Sequence, residues 1–292
     1  MGNTTIKIKI LNSIRKLFRF PLAEKLLYIF SKNHTIESFI GKIIPGNNLY
    51  RSKTMRTVTR KNINYRLDIS DYQNWLIYFG IKTDEPKDLL KLIQPGNTVI
   101  DIGSNIGQTS MNIAKICGNN GLVFGFEPDP VNFNRAIENL NLNSFTNIKY
   151  YNVGLGDKKG VLHLKINTPS NRGGNRIDKN GDNNSHIKVP IETLDTFTMN
   201  ENLQKVDLIK IDVEGFETEV LKGAEKMIAK FKPMLYIELD DNNLKAQGTD
   251  ARALINYIQT MGYEIKSSKE YSIITPETDL NGCHLDVVCK YI

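Results

Sequence analysis

From residue 97 onward the sequence alternates short apolar runs with stretches of helical length, and no other feature limits the fold so strongly. TVIDIG, LVFGFEP, NIKYYNV, VDLIKIDV and PMLYIEL are short and β-branched, so they read as strands. Helical patterning covers 106–117, 130–141, 216–230 and 250–262, and the second stretch is opened by Asp129 as a cap and Pro130 at the first turn. VLHLKI and HIKVPIETL read as an extra pair of strands around a polar loop, and YEIKSS and HLDVVCKYI as two closing strands. Strands alternating with helices specify an α/β fold, a doubly wound and mostly parallel sheet covered on both faces. The loop NTPSNRGGNRIDKNGDNN, 167–184, is expected to be too polar and glycine-rich to pack. Its Arg172 and Arg176 suit hydroxyl or phosphate groups.

In an open α/β sheet, ligands bind outside the carboxyl ends of the strands. The expected strands deliver a carboxylate to each such end. The first brings Asp101 and then Gly103, Asn105 and Gly107; the second brings Glu127; the third is followed by Asp157. The fourth ends in Asp212 and Glu214, and the fifth in Glu238, Asp240 and Asp241. Charges so placed are costly unless paired or used. The glycines follow GxxxG, whereas a dinucleotide turn has GxGxxG, and Asp101 ahead of them favours a cationic ligand over a pyrophosphate. Glu214 suits capping of the helix that follows it. None of His34, His163, His186 or His284 is expected at a carboxyl end of the main sheet.

The ordered set VIDIGSNIGQTS, VFGFEPDPVNFNRAIENLNLN, NVGLGDKKG and DLIKIDVEGFETEVLKGAEKMI resembles the FkbM family of S-adenosylmethionine-dependent methyltransferases. The resemblance runs from about Leu67 to Glu238. It implies a class I methyltransferase (Rossmann-like) sheet of seven strands, with an antiparallel strand at its C-terminal end. It implies that Asp101, Gly103, Asn105 and Gly107 bound the methionine end of S-adenosylmethionine. Glu127 would hold the ribose hydroxyls, with Pro128 and Asp129 flanking the adenine and Gly154 and Asp157 on its other side. Asp212 would face the transferred methyl group.

An alcohol is a poor nucleophile while it keeps its proton, so an O-methyltransferase needs a base or an acidifying metal. Asp212 and Glu238 are the candidate catalytic residues, and they are the ligands if a divalent cation such as magnesium takes part. The acceptor implied by the family is a sugar hydroxyl in a glycan, glycolipid or glycoside. A polyketide-type natural product, an NAD-dependent oxidoreductase and a non-catalytic scaffold stay open as alternatives. DVEG stands where a nucleobase methyltransferase would carry (N/D)PP(Y/F), and the basic residues form no aromatic-interleaved patch, so no nucleic-acid partner is expected.

Charge is unevenly distributed. Of the 292 residues, the first 66 hold 14 Lys and Arg against Glu24 and Glu37, leaving 24 basic and 30 acidic residues for the rest. Residues 4–31 read as one or two helices broken at Pro21, with Ile10, Leu11, Ile14, Leu17 and Phe18 at helical spacing between basic residues. Such a segment either lies on an anionic membrane surface or docks its apolar face on the protein body; both readings stay open. The expected organisation is a basic amphipathic extension over 1–50, a substrate-lid or edge segment over 51–96 that includes the aromatic run DYQNWLIYF, and the S-adenosylmethionine-binding domain over 97–292. No run approaches the roughly 18 apolar residues of a membrane span. Lys7, Lys9, Arg15 and Lys16 argue against a signal peptide, and Ile6 against a myristoyl anchor. Cys117, Cys283 and Cys289, with no CxxC spacing, fit a reducing compartment. The expected location is therefore the cytoplasm, with peripheral contact at the inner membrane face open.

Overall fold

The computed structural model describes residues 13, 15–31, 34–81, 87–168, 170–178 and 186–292. Most of the predicted helix before Pro21, and residues 169 and 179–184 of the 167–184 loop, lie outside these. The chain divides into two compact units: residues 1–85 with 168–173, and residues 86–167 with 174–292.

In the first unit, β1 (Met55–Arg60) and β2 (Ile63–Asp68) form an antiparallel hairpin. Its two-residue turn, Lys61–Asn62, has φ of 49° and 59°, as a type I′ turn requires. The helix Tyr72–Phe79 starts where the Asp71 side chain accepts from Asn74 N and stops at Gly80, φ 60°. Trp75 is buried, donates to the Pro45 carbonyl at 2.8 Å, stacks on Tyr72 and meets Phe79 edge to face, so it serves the core of this unit. The sequence separates 1–50 from 51–96. The structure joins them, because Glu24 on the helix Pro21–Phe30 pairs with Arg56 on β1. The unit ends at residue 85, and the helix Lys87–Leu92 belongs to the second unit.

Residues 170–173 also pack, against the expectation for their loop. Tyr72 N donates to Ser170 O at 2.8 Å, and Arg172 N to Asp71 Oδ2 at 3.1 Å. Polar residues settle there because backbone groups and a helix-capping carboxylate offer them partners.

The second unit is built on β3 (Thr98–Ile102), β4 (Leu122–Phe126) and β5 (Ile148–Tyr151), which are parallel neighbours. A smaller sheet follows: β6 (Gly154–Leu155), β7 (Gly160–Lys165), β8 (Arg176–Asp178) and β9 (His186–Glu192), in the order β6-β9-β7-β8. The predicted extra pair is its antiparallel β7–β9 ladder. The chain then returns to the main sheet through β10 (Leu208–Ile211), β11 (Met234–Asp240), β12 (Tyr263–Ser267) and β13 (His284–Tyr291). The seven strands run β12-β13-β11-β10-β3-β4-β5, and β13 is antiparallel to both of its neighbours. Ile100, Ile102, Ile209, Ile211, Leu235 and Ile237 are buried, as a sheet covered on both faces demands.

Two helical expectations differ from the structure. The stretch 216–230 forms two helices, Glu217–Lys222 and Glu225–Phe231. At the break, a Cβ on Gly223 would lie 1.9 Å from the Gly156 carbonyl oxygen, so only glycine lets the chains pass. A six-residue helix, Asp241–Ala246, follows β11; it is too short to declare itself by periodicity. No helix among the described residues is long and apolar enough to cross a membrane.

Candidate active site

The turn after β3 is bent by three left-handed residues: Gly103 (φ 79°), Asn105 (φ 51°) and Gly107 (φ 83°). A Cβ on Gly103 would lie 1.9 Å from the Asp212 carbonyl oxygen, and one on Gly107 2.4 Å from the Tyr150 hydroxyl. Neighbouring protein therefore demands the glycines, whatever ligand the turn holds. Asp101 is expected in the wall of the cleft but is completely buried. One of its oxygens accepts from the Ser110 hydroxyl, and the other lies 3.6 Å from Lys210 Nζ. It shapes the turn from beneath because these two partners hold it there.

Glu127, at the end of β4, ties two loops together. Its Oε2 accepts from Asn105 N at 2.8 Å and its Oε1 from Asp129 N at 2.9 Å. Burial raises its pKa to about 7 despite these bonds. Asp129 is likewise buried; it caps the helix Pro130–Asn141 through Val131 N and accepts from Asn175 Nδ2 at 2.8 Å. Its side chain thus serves the helix start and the 167–184 loop. Asn152 Nδ2 donates to the carbonyls of Glu127 and Pro128, fixing the FEP turn. A Cβ on Gly154 would lie 3.6 Å from that of Pro128. Asp157 is exposed in the turn between β6 and β7.

Asp212, Glu214 and Glu238 converge at the ends of β10 and β11, with one oxygen from each lying within 4.8 Å of the others. Lys210 Nζ stands 3.0 Å from Asp212 Oδ2 and donates to the Gly103 carbonyl at 3.0 Å. Burial opposes the ammonium charge, but Asp212 and Asp101 outweigh it and hold the Lys210 pKa above its usual range. Burial raises the Glu238 pKa strongly, reinforced by Asp212 and Glu214. Burial and then Asp212 push Glu214 up to about 7. Glu214 does not cap the helix that follows it. Glu217 Oε1 accepts from Val213 N and Gly215 N instead, while Glu214, at φ 56°, accepts from Asn243 Nδ2 at 2.7 Å. The left-handed turn at Glu214 and Gly215 aims the earlier carboxylate toward Asp212 and Glu238.

One histidine does reach the carboxyl edge of the main sheet. β13 runs antiparallel, so its first residue, His284, pairs with Asp240 where the parallel strands end. His284 Nδ1 is 2.8 Å from Asp240 Oδ2, and Nε2 is 3.9 Å from Glu238 Oε1. Strand direction, which no local sequence pattern reports, decides this. His163 lies on β7 and His186 on β9, in the smaller sheet, and His34 lies in the first unit. Lys210 could have been singled out: a lysine inside the apolar run LIKI, two residues before an aspartate, places both side chains on one face of a strand. Asn152, Asn175 and Asn243 carry no such signal.

The family model for the methyltransferase FkbM domain matches residues 101–265, from the end of β3 to the middle of β12. The chain belongs to the FkbM methyltransferase family. Among curated relatives, the hexuronic acid methyltransferase AglP of Haloferax volcanii is 31% identical over 137 residues, covering 46% of this chain and 53% of its own. Methyltransferase sdnD of Sordaria araneosa is 29% identical over 188 residues, covering 54% and 71%. The 2-O-methyltransferase NoeI of Sinorhizobium fredii is 26% identical over 186 residues, covering 57% and 73%. The chain thus spans about half the length of AglP. The crystal structure of methyltransferase FkbM from Methylobacillus flagellatus is 19% identical with a TM-score of 0.45, covering 76% of this chain and 55% of that one. The FkbM match takes in every carboxylate of the cluster, whereas His284 lies beyond it.

Proposed function

We propose that this chain transfers the methyl group of S-adenosylmethionine to a sugar hydroxyl. The observation that carries the reading is the convergence of Asp212, Glu214 and Glu238 directly behind the Gly103–Gly107 turn. A cation bound among these carboxyls favours their charged forms, so the site suits a sulfonium and disfavours a phosphate-bearing cofactor. The attraction fades once the methyl group leaves and the sulfur becomes neutral. Glu127 retains acceptor capacity beyond its two backbone bonds, which suits ribose hydroxyls. The sugar acceptor is supported by one relative, named for a hexuronic acid, and transfer to oxygen by another, named a 2-O-methyltransferase.

The displacement is in line, so the protein's task is alignment and proton removal. Once a cation bound beside it has displaced the proton that burial, Asp212 and Glu214 hold on it, Glu238 is the base in this reading and takes the acceptor's hydroxyl proton. His284, oriented by Asp240 and largely exposed, can pass that proton from Glu238 to solvent. Asp212, fixed by Lys210, would orient the acceptor hydroxyl. The three-carboxylate set also fits a hard divalent cation, which would supply Lewis-acid acidification of a bound hydroxyl through Asp212, Glu214 and Glu238.

The test is transfer of labelled methyl from S-adenosylmethionine to uronic-acid and neutral glycans, with and without chelator, followed by mass-spectrometric location of the label. Ether-linked label on a sugar oxygen is expected. A chain that binds the cofactor yet labels only non-sugar acceptors would refute the sugar assignment.

A further inference from the structure

The helix Pro21–Phe30 has its polarity reversed. At about 100° per residue, Ala23, Glu24, Leu27 and Tyr28 fall on one face and Leu22, Lys25, Leu26, Ile29 and Phe30 on the other. The face with the carboxylate points inward. Glu24 is 3% exposed, accepts from Arg56 at 2.6 and 3.1 Å, and accepts from the Tyr78 hydroxyl at 3.0 Å. Leu27 is buried beside it, and the Ser31 hydroxyl donates to the Phe79 carbonyl. The leucine-rich face points outward. Leu22 is 82% exposed, and Leu26, Ile29 and Phe30 are each more than half exposed. Leu17 and Phe20 extend the patch before the helix. Arg15 Nε donates to the Lys42 carbonyl, which ties this stretch to the short helix Phe39–Ile43, whose Phe39 is 80% exposed.

The outward face is not the surface that docks on the first unit, since the inward face already does so. A contiguous apolar surface of this kind marks an interaction site. Its charge says with what. Lys16, Lys25 and Lys42 are exposed around it. Among residues 1–66 the acids are Glu24, sequestered inside, and Glu37. A second copy of the chain meeting the same face would set basic rim against basic rim.

We propose that the outward face of Pro21–Phe30 lies in the plane of an anionic phospholipid bilayer. Leu22, Leu26, Ile29 and Phe30 enter the headgroup boundary, while Lys16 and Lys25 keep their ammonium groups at the phosphate level. This stands independently of the acceptor proposed above, because it concerns a surface of the first unit alone. Deleting residues 1–31 would be a poor test, since it removes Glu24 and Leu27 from the core. Substitutions confined to the outward face leave that core intact.

The test is co-sedimentation of the full chain with phosphatidylcholine vesicles, with and without phosphatidylglycerol. Wild-type protein is expected to bind only the anionic vesicles, and less so at high salt. The Leu22→Ser/Leu26→Ser/Phe30→Ser variant and the Lys16→Glu/Lys25→Glu variant should each weaken binding at least about tenfold. Both should keep the wild-type melting temperature by circular dichroism. Absence of binding by the wild type, or binding that survives the triple serine variant, overturns the proposal. So does a wild-type dimer that the serine variant turns into a monomer without any vesicle binding, which would make this face a contact between copies.

Discussion

Lys210 and Asp212 share one face at the end of β10, and the Lys210 ammonium reaches Asp212 at 3.0 Å while also standing 3.6 Å from the buried Asp101. A single cation thus joins the floor of the glycine turn to the carboxylate cluster. Its side chain is only 6% exposed, so it has little water to replace either partner.

Lys210→Met should therefore destabilise the fold by about 3 kcal/mol, the low end for removing one partner of a buried ion pair, because Asp212 is partly exposed. Urea unfolding measures this. A loss under about 1 kcal/mol would mean that the pair is readily replaced by solvent.

Glu238→Gln and Asp212→Asn should each lower methyl transfer by about a hundredfold or more, well beyond the loss of cofactor affinity that removing one carboxylate brings. Single-turnover assays with labelled S-adenosylmethionine separate the two effects. Near wild-type turnover in both variants would remove these residues from the chemistry.

His284→Asn should lower turnover without changing the Michaelis constant for the methyl donor, because His284 contacts Asp240 and lies near Glu238 rather than in the glycine turn. If the donor constant alone rises, the role assigned to this histidine is wrong.

Glu217 and Glu127 are both buried carboxyls raised to about 7 from an ordinary 4.5, chiefly by burial. A raised folded-state pKa stabilises fully below the unfolded value and ceases to do so as pH rises through the folded value. Stability from these groups should thus decline from about pH 4.5 to 7. Glu217→Gln, whose amide oxygen can still accept from Val213 N and Gly215 N, should flatten that decline. Urea midpoints across this range compare the two proteins, and parallel curves would show that Glu217 keeps an ordinary pKa.

Gly103→Ala combines a left-handed φ of 79° with a Cβ 1.9 Å from the Asp212 carbonyl. It should lower the melting temperature sharply and abolish cofactor binding. Wild-type melting and calorimetric binding would mean that β10 can move aside.

Much of the fold is legible in the sequence. The α/β character follows from short apolar runs alternating with helical stretches, since periodicity is a local property of covalent neighbours, and the seven-strand sheet is what the FkbM resemblance implies. Carboxylates at strand ends follow from the same register, so Asp212 and Glu238 stand out from residue pattern alone. The helix break at Gly223 is not legible there, because it depends on the Gly156 carbonyl in a distant segment.

The sequence alone determined which residues stand at the ends of strands, because side-chain alternation and strand length are written locally. Tertiary structure decided the rest through contacts between distant residues and through strand direction. It put Asp101 beneath the turn rather than in its wall, because Ser110 and Lys210 hold it there. It brought His284 to the carboxyl edge, because β13 runs against its neighbours. It turned Leu22 and Leu26 of Pro21–Phe30 outward, because Arg56 and Tyr78 hold Glu24 inside.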